Sequence, residues 1–289
     1  MDSILITGAS GNVGSAALKS LSRHKNQYAC FIADRYAAGQ ESSEDQRKIR
    51  KFDFLDASSW PDALKGINKV FLLRPPKIAD VDNIFVPLIR SMEKTGVQSV
   101  VFLSVQGADK MSWVPHYKIE RALESSSLDY IFIRPSYFMQ NLITTLSEDI
   151  IDKKEIHLPA GNALFNWVDV DDIGKAIAYC LTNFAEHKNQ SFTISGPKNM
   201  SFTTVVEKIN QNFHLNLRYI RRSPIGFLFY KIRKGTPFTF AMIQLILHYL
   251  PRFSKEPEIS SNFKQITGEE PTPLEAFLNR TESFWLKLK

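Results

Sequence analysis

The chain has 289 residues, of which 44% are hydrophobic and 23% are charged. This length and composition exclude a disordered or fibrous protein and fit one large α/β domain, or one domain with a smaller appendage. The net charge of +6 is scattered apart from two basic groups, at residues 47–51 and 218–234. We interpret these groups as solvated basic surface and expect no nucleic-acid partner.

Cysteine usage and hydropathy bear on the compartment of the protein. Cys30 and Cys180 lie 150 positions apart, without metal-type spacing, so we expect buried free thiols and no metal site. The sequence enters a predicted strand directly after Met1 and Asp2, so we expect no signal peptide. The most apolar late stretch, residues 238–250, is shorter than the roughly 20 residues that a membrane helix needs. We therefore expect a cytoplasmic protein without a membrane span.

The first half of the chain alternates β-rich and helical patterns. Strands are predicted at residues 4–7, 28–33, 49–54, 69–73, 99–103 and 130–133. Helices are predicted at residues 13–23, 58–65, 81–95 and 116–125. This alternation, with several strands that are almost continuously apolar, predicts an α/β fold with a doubly wound parallel sheet and helices on both faces.

The second half changes character. It is predicted to hold a helix after the carboxylates of residues 169–172, a strand at 191–197, a helix at 201–213, an apolar run at 224–250 and a final helix with Thr272 as its N-cap. We expect a large domain at residues 1–200. A smaller, mostly helical C-terminal region at 201–289 is expected to cover the substrate.

A glycine-rich turn joins the first predicted strand to the first helix. Gly8, Gly11 and Gly14 have the spacing G-x-x-G-x-x-G within ILITGASGNVG, residues 4–14. Glycines allow a tight turn and a close approach to a pyrophosphate, and the helix that follows offers free N–H groups to that anion. The pattern predicts a dinucleotide-binding turn, so NAD or NADP is the expected cofactor.

The end of the second strand bears on which dinucleotide binds. Asp34 lies 20 positions after Gly14, where an acidic residue that bonds the adenosine ribose is expected. A carboxylate there repels the 2′-phosphate of NADP and favours NAD, whereas Arg35 beside it would bind that phosphate. NAD is therefore weakly favoured, and the alternatives are NADP and a surface Asp–Arg pair without a ligand.

Three blocks carry a resemblance to a known family. With the glycine loop, FDFLD at residues 52–56 and RPSYFMQNL at 134–142, the chain resembles the NmrA-like branch of the atypical short-chain dehydrogenase/reductases over nearly its whole length. The resemblance implies a Rossmann-like fold and a set of cofactor-binding residues. These are Ser10, Asn12 and Val13 with the three glycines at the pyrophosphate, Asp53 and Phe54 at the adenine, and Leu73 and Arg74 at the nicotinamide ribose. The alternatives are a capping Asp53, a core Phe54 and a surface Arg74.

The same resemblance bears on catalysis. A typical short-chain dehydrogenase uses a Tyr-x-x-x-Lys pair, in which the Lys lowers the pKa of the Tyr for proton exchange with a carbonyl. The resemblance places Ser112 at the tyrosine position and His116 at the lysine position, so the pair is predicted to be absent. His116 would orient the nicotinamide ribose or donate a proton, and its alternative is a histidine on the helix surface. Ser104, at the carboxyl end of the fifth strand, is predicted to contact the nicotinamide or the substrate, and its alternative is a strand-end serine without a ligand. Glu120 is interpreted as structural or as the partner of a basic group.

A substrate pocket is predicted after the sixth strand. Tyr137, Phe138, Met139 and Asn141 offer aromatic and polar surface for a flat small-molecule substrate. The apolar segment 224–250 has three interpretations: a cover for the pocket, a homodimer interface, or a peripheral membrane contact supported by nearby basic residues.

We therefore expect an NAD(P)H-dependent oxidoreductase that transfers hydride to a small aromatic or quinone-like acceptor. The pattern resembles the quinone- and triphenylmethane-dye-reducing members of the branch. A non-catalytic dinucleotide-binding redox sensor is the alternative, because the absent pair fits it equally well. A sugar-nucleotide epimerase or dehydratase is the weaker alternative, because that chemistry relies on the pair.

Overall fold

The structure is a computed structural model that describes residues 2–24, 28–36 and 48–289. Two compact units are present, each made of three stretches of chain. Unit 1 comprises Met1–Pro135, Val170–Ile194 and Ser261–Glu269; unit 2 comprises Ser136–Asp169, Ser195–Ser260 and Glu270–Lys289. A single domain boundary near residue 200 stays a prediction.

The described residues contain twelve strands and thirteen α-helices. The strands are β1 (Asp2–Ile6), β2 (Tyr28–Asp34), β3 (Lys48–Lys51), β4 (Lys69–Leu73), β5 (Ser99–Leu103), β6 (Asp129–Pro135), β7 (Tyr137–Phe138), β8 (Glu155–Leu158), β9 (Phe165–Val168), β10 (Gln190–Ile194), β11 (Asn199–Met200) and β12 (Arg218–Arg221). The helices are α1 (Asn12–Leu21), α2 (Trp60–Leu64), α3 (Val86–Thr95), α4 (Pro115–Glu124), α5 (Ser147–Lys153), α6 (Val170–Thr182), α7 (Phe184–His187), α8 (Phe202–Phe213), α9 (Pro224–Arg233), α10 (Phe238–Tyr249), α11 (Asn262–Thr267), α12 (Leu274–Arg280) and α13 (Glu282–Leu286).

Unit 1 is built on a seven-stranded sheet with the order β10-β6-β5-β4-β1-β2-β3. Every neighbouring pair in this sheet is parallel. The chain first adds β2 and β3 on one side of β1, then returns to add β4, β5, β6 and β10 on the other side. The strand order therefore reverses between β1 and β4, which is where a doubly wound sheet opens a ligand-binding crevice. The predicted Rossmann-like fold is confirmed.

Both faces of this sheet are buried. Leu5, Val70 and Leu72 pack in one apolar cluster with side chains of α2, α3 and α4. Their neighbours Ile4, Ile6 and Phe71 point to the opposite face, because side chains alternate along a strand, and they are fully buried as well. α1 and α6 pack against each other, and α6 contacts β4, β5 and β6. The almost continuously apolar strands are explained by this double coverage.

Unit 2 holds two small sheets and most of the later helices. The order β11-β9-β7 forms one sheet, and β12 pairs with β8 in the other. α5, α8, α9, α10, α12 and α13 belong to this unit. Its core centres on large aromatic side chains, with Trp167, Phe202, Phe227, Phe277 and Trp285 all fully buried.

Three local predictions are corrected by the structure. β3 ends at Lys51, before the predicted residue 54, because the Asp53 carboxylate accepts a hydrogen bond from the Leu55 amide and starts a turn. α12 begins at Leu274 with Pro273 as its N-cap residue, so Thr272 does not hold that position. Cys180 is buried as expected, but Cys30 is only half-buried.

Among the described residues, no helix is both long and apolar enough to cross a membrane.

Candidate functional site

The glycine-rich turn lies at the carboxyl end of β1. Gly8 has φ +65°, a left-handed conformation that side chains other than glycine rarely adopt, and its carbonyl accepts a hydrogen bond from the Gly11 amide. A Cβ on Gly14 would lie 2.1 Å from the Gly8 carbonyl oxygen, so only glycine lets α1 approach the turn this closely. Gly11 is the N-cap residue of α1, and no side chain caps the helix there. The helix N-terminus therefore keeps its amide donors available for an anion.

The remaining loop residues divide between surface and core. Ser10 and Asn12 are exposed, as expected of residues that would contact a ligand. Val13 is buried, with 4% exposure, so its side chain belongs to the core. Only its backbone amide is left to contact a ligand at the turn.

Thr7, which was not among the predicted site residues, links β1 to β4 by hydrogen bonds at the place where the strand order reverses. Its hydroxyl donates to the Phe71 carbonyl across 2.9 Å and accepts from the Leu73 amide across 2.8 Å. The Leu73 side chain then packs on the turn, because a Cβ placed on Gly8 would meet its Cδ2 at 3.1 Å. The structure thus places Leu73 directly against the glycine turn. A buried threonine just before the first glycine was the sequence signal for this contact.

Asp34 and Arg35 end β2, the strand next to β1. The Asp34 carboxylate accepts a hydrogen bond from the Tyr36 amide across 2.7 Å. The Arg35 guanidinium lies 4.6 Å from the centre of the Tyr36 ring and donates to the Tyr36 hydroxyl. Because β1 and β2 are parallel neighbours, these residues lie at the same sheet edge as the glycine turn.

Asp53 and Phe54 have clear structural roles. The Asp53 carboxylate accepts from the Leu55 amide across 2.9 Å, and its carbonyl accepts from the Trp60 indole across 2.8 Å. Phe54 is 9% exposed and packs against Phe52 and Phe85, with ring centres 5.0 and 5.7 Å away. The contacts of Phe54 match the core alternative. Asp53 starts a turn and does not cap a helix, because Asp56 is the N-cap residue of the short helix that follows. An adenine-binding role for either residue stays a prediction.

Arg74 and His116 form a polar pair after β4 and at the start of α4. The Arg74 Nε donates to the His116 Nε2 across 3.4 Å, and its Nη1 donates to the carbonyls of Pro75 and Ile78 across 3.0 and 2.6 Å. Burial, and secondly the charge of Arg74, lower the pKa of His116 from 6.5 to about 3. His116 is therefore neutral at physiological pH, and Arg74 is a half-buried, well-anchored residue, not a surface one.

Ser104 and Ser112 have different environments. Ser104 follows β5 at the carboxyl edge of the sheet and is 2% exposed. Its hydroxyl has no hydrogen-bond partner within the part of the chain that the structure describes. A buried hydroxyl without a partner is costly, so this atom suits a ligand at the sheet edge. Ser112, by contrast, is exposed to solvent in the segment before α4.

Glu120 is fully buried and is paired with Arg134. The Arg134 Nε and Nη2 donate to the two carboxylate oxygens across 2.9 and 2.8 Å. This two-bond pairing fixes α4 on β6 and occupies both oxygens of the carboxylate. The geometry supports the interpretation of Glu120 as the partner of a basic group.

In unit 2, Tyr137 belongs to an aromatic and polar cluster. Its hydroxyl lies 3.0 Å from the His248 Nε2, and its ring packs on Phe165 and Trp167. The His248 Nδ1 lies 2.7 Å from the Gln244 carbonyl and must donate to it, so Nε2 accepts from Tyr137. Burial raises the pKa of Tyr137 and lowers that of His248 to about 4. Phe138 and Asn141 are half-buried, and Met139 is fully buried.

Helices α9 and α10 contribute polar residues to this interior. Lys231 belongs to the basic group at 218–234 that was predicted to be solvated, and its burial corrects that prediction; Gln244 and His248 were not predicted to have any role. Lys231 and Gln244 are each 7% exposed, and His248 is 2% exposed. Burial lowers the pKa of Lys231, and the Gln244 Oε1 has no hydrogen-bond partner among the described residues. The sequence shows them as isolated polar residues in an otherwise apolar run, and this was the signal that could have indicated a buried polar group. The fold decides which face of each helix they occupy, and that could not be read from the run itself.

The sheet reversal, the glycine turn and the uncapped helix together define a dinucleotide-binding protein of the Rossmann-like class. The sequence profile of the NmrA-like family matches residues 1–278. The chain belongs to this family, and the predicted resemblance is confirmed.

Two relatives are similar over most of the chain. Prestalk A differentiation protein A of Dictyostelium discoideum is 26% identical over 283 residues, covering 97% of this chain and 93% of that protein. NAD(P)H azoreductase of Xenophilus azovorans is 26% identical over 223 residues, covering 75% of this chain and 76% of that protein.

Two solved structures share the fold. Triphenylmethane reductase of Citrobacter sp., complexed with NADP(H), has a TM-score of 0.81 at 19% identity, covering 96% of this chain and 99% of that one. The NADPH-dependent quinone oxidoreductase of Escherichia coli, complexed with NADPH, has a TM-score of 0.83 at 18% identity, with the same coverage. At these identities the likeness concerns the fold alone.

Proposed function

We propose that this protein is an NAD(P)H-dependent oxidoreductase that transfers hydride to a small aromatic or quinone-like acceptor. The observation that carries the proposal is the cradle at the β1–β4 switch point. There the Gly14 position leaves no room for a Cβ, and no side chain caps α1. Such a cradle fits the pyrophosphate of a dinucleotide. The family relative named NAD(P)H azoreductase supports the same class of activity.

When bound, the reduced nicotinamide would supply the hydride. The residues of this chain would bind and orient it. The exposed Ser10 and Asn12 would contact the phosphates, and Leu73 would support the turn from β4. The buried Ser104 hydroxyl would complete its hydrogen bonding on the nicotinamide or on the acceptor. This role explains why a hydroxyl is retained at a buried position that offers it no partner.

His116 would act as a neutral hydrogen-bond donor. Its Nε2 accepts from Arg74, so the ring proton lies on Nδ1, which points a donor away from Arg74. With a pKa of about 3, His116 does not store a proton for transfer near neutral pH. An electron-poor conjugated acceptor delocalises the incoming charge and needs no strong enzyme acid. A site without a strong proton donor therefore suits a quinone-like substrate, which delocalises the charge, better than an isolated carbonyl, which needs a proton from the enzyme.

The choice of dinucleotide has arguments on both sides. Asp34, at the end of β2, favours NAD by repelling a 2′-phosphate. The Arg35 guanidinium beside it favours NADP, as do the complexes of the two structural neighbours with NADP(H) and NADPH. Titration of NADH and NADPH into Asp34→Ala decides between them. Selective gain of NADPH affinity would support the assignment to Asp34, and an unchanged preference would contradict it.

Acceptor binding by Tyr137, Phe138 and Asn141 stays part of the proposal. The Tyr137 hydroxyl is already committed to His248, so its contribution would be the ring face or the hydroxyl's acceptor lone pair. A cytoplasmic location and a homodimer likewise stay predictions, as does the absence of the Tyr–Lys pair.

A non-catalytic dinucleotide sensor is the second candidate. It is favoured by the exposure of Ser112 and the neutrality of His116, since neither supplies a charged acid at the expected catalytic positions. The relative from Dictyostelium discoideum is named for differentiation and its name gives no reaction. A sensor would bind the dinucleotide and report its state without turning it over.

Steady-state oxidation of NADH and NADPH with a panel of quinones and dyes tests the proposal. Turnover with a quinone or dye supports the reductase. Tight binding of both dinucleotides without turnover of any acceptor would contradict it and favour the sensor.

A further inference from the structure

Helix α9 of unit 2 presents a row of large apolar side chains to the outside. Ile225, Phe229 and Ile232 are 82%, 69% and 47% exposed. Their spacing of four and then three residues places them on one face of the helix. On the opposite face, Phe227 and Lys231 are buried. α9 therefore turns an apolar row outwards while it buries a charged side chain.

Helix α10 repeats this inversion. Phe240, Ile243 and Leu247, with Leu250 just after the helix, are exposed at spacings of three or four residues. The buried face holds Gln244 and His248 together with the apolar Ala241 and Leu245. Phe238 and Phe253, at the two ends of this segment, are 61% and 71% exposed. A surface helix ordinarily buries its apolar residues and exposes its polar ones. An outer row of apolar side chains is typical of a helix whose outer face binds a partner.

These residues form one surface, because α9 and α10 pack against each other. We call it the apolar hairpin face. It comprises Ile225, Phe229, Ile232, Phe238, Phe240, Ile243, Leu247, Leu250 and Phe253. Among the described residues it holds nine of the sixteen large apolar side chains that are exposed. A concentration of this kind marks an interaction surface, whereas scattered exposed apolar residues need no explanation.

Basic residues predominate around the face, although Lys208, Arg218 and Lys234 are paired with carboxylates of other segments and Lys231 is buried. Residues 208–255 contain nine Lys and Arg and no Asp or Glu, although the whole chain has a net charge of only +6. Arg221, Arg233, Arg252 and Lys255 are exposed. The last three form no ion pair with any residue of the described chain, and the Arg252 guanidinium lies 5.2 Å from the centre of the Tyr249 ring. The face therefore suits an anionic partner.

A second copy of the chain would be a poor match. A two-fold symmetric contact brings the same patch of both copies together. Residues 208–255 contain no carboxylate, so a two-fold contact through this segment would bring the exposed Arg233, Arg252 and Lys255 towards the same cations of the other copy. A bilayer with anionic lipids offers the two complements that the face needs: an acyl boundary for the phenylalanines and negative headgroups for the arginines and lysines.

We propose that the apolar hairpin face binds the surface of a membrane that contains anionic lipids. α9 and α10 lie in the plane of the headgroups, with Phe229, Phe238 and Phe253 entering the acyl boundary. The cations Arg233, Arg252 and Lys255 remain at headgroup level. The proposal concerns a lipid partner and is independent of the proposed reductase function.

Co-sedimentation of the full chain with vesicles tests this proposal. One set contains phosphatidylserine with phosphatidylcholine, and the other contains phosphatidylcholine alone. We expect binding to the first set, with marked weakening in about 1 M salt, where charges are screened over about 3 Å. Arg233→Gln with Lys255→Gln should weaken binding by about twenty-five-fold, since each basic residue near an anionic surface contributes about fivefold. Phe229→Ser with Phe253→Ser should weaken it by tenfold or more.

The matched control is Leu286→Ser with Lys94→Gln, which removes one exposed apolar and one exposed basic side chain elsewhere on the surface. It should bind vesicles like the wild type. Sedimentation velocity without lipid measures whether the protein forms a dimer, which is the alternative use of the face. A stable dimer that the phenylalanine variant dissociates, with no vesicle binding, would overturn the proposal in favour of self-association. Three further results would overturn it: equal binding to both vesicle sets, unchanged binding in the phenylalanine variant, or no binding to either set.

Discussion

The Nε of Arg74 lies 3.4 Å from the Nε2 of His116 and donates a hydrogen bond to it. A guanidinium has only donors, so the histidine nitrogen must accept, and the ring proton lies on Nδ1. Burial and the neighbouring charge then hold the pKa of His116 at about 3. The pair therefore defines a fixed, uncharged donor at the start of α4 throughout the physiological pH range.

This pairing predicts a flat pH response. The ring resonances of His116 should not titrate between about pH 8 and 5, and the rate of reduced-dinucleotide oxidation should show no step from His116 in that range. Arg74→Met removes the smaller of the two causes that lower the pKa of His116 and leaves the burial in place, so the pKa should rise from the wild-type value but stay below 6.5. NMR titration of the two proteins checks this, and a wild-type His116 midpoint near pH 6.5 would contradict the account.

The same shift predicts the acid stability of the protein. In the unfolded chain the imidazole has a pKa near 6.5, so below this pH the unfolded state takes up a proton that the folded state does not. The free energy of unfolding should decrease by about 1.4 kcal/mol per pH unit from this group as the pH falls from about 6.5 towards 3. Urea unfolding at several pH values should show a shallower pH dependence for His116→Gln than for the wild type.

Gly14→Ala should damage both the fold and dinucleotide binding. The new Cβ would lie 2.1 Å from the Gly8 carbonyl oxygen, which forces α1 away from the turn. We expect a loss of about 1–3 kcal/mol in stability and at least about tenfold weaker dinucleotide binding, measured by urea unfolding and calorimetry. Gly96→Ala is the control, because Gly96 also has a special backbone conformation, with φ +85°, but nothing within 4 Å of its Cβ position. It should lose some stability and keep its dinucleotide affinity.

Ser104→Ala and Thr7→Val should separate ligand binding from folding. Ser104 has no partner for its hydroxyl in the described chain, so its removal should leave the stability of the free protein unchanged or slightly higher. It should weaken dinucleotide binding or turnover by about fivefold, the value of one hydrogen bond. Thr7→Val leaves the Leu73 amide unpaired and should cost about 1–3 kcal/mol of stability. Loss of stability in Ser104→Ala without any functional effect would remove Ser104 from the site.

Glu120→Gln should act on stability and leave chemistry intact once the protein is folded. It removes the buried charge that pairs with Arg134 and leaves that guanidinium with only the longer contact to Asp109, at 3.6 Å, so we expect a loss of about 3 kcal/mol in stability. Glu275→Gln is the control, since its pair with Lys208 is exposed and should contribute less than about 1 kcal/mol. A stable Glu120→Gln protein with impaired turnover would assign Glu120 to the reaction instead.

Much of unit 1 could be predicted from sequence because its elements repeat a local pattern. The predicted bounds of β4 and β5 agree with the structure, since each is a short apolar run between turns and is buried on both faces. The end of β3 could not be placed, because the Asp53 turn that ends it depends on hydrogen bonds with Leu55 and Trp60. Local patterns also could not show that each unit is made of three separate stretches of chain, since this depends on contacts between residues far apart in the sequence.

The site was predictable where backbone geometry dictates residue type. The turn needs glycine at Gly8 and Gly14, so the sequence shows it directly. Side-chain partners far apart in the sequence were not predictable. The pairs Arg74–His116 and Tyr137–His248 join positions 42 and 111 residues apart, and only the fold brings them together.

Single-turnover hydride transfer tests the central claim most directly. The protein, in excess over NADH or NADPH, is mixed rapidly with a quinone while the reduced nicotinamide absorbance is followed. The account predicts oxidation of the bound dinucleotide at a rate that saturates with quinone. Gly96→Ala should retain this rate, and Gly14→Ala should need at least about tenfold more protein to reach it. A dinucleotide that binds at the glycine turn and stays reduced with every quinone and dye would contradict it.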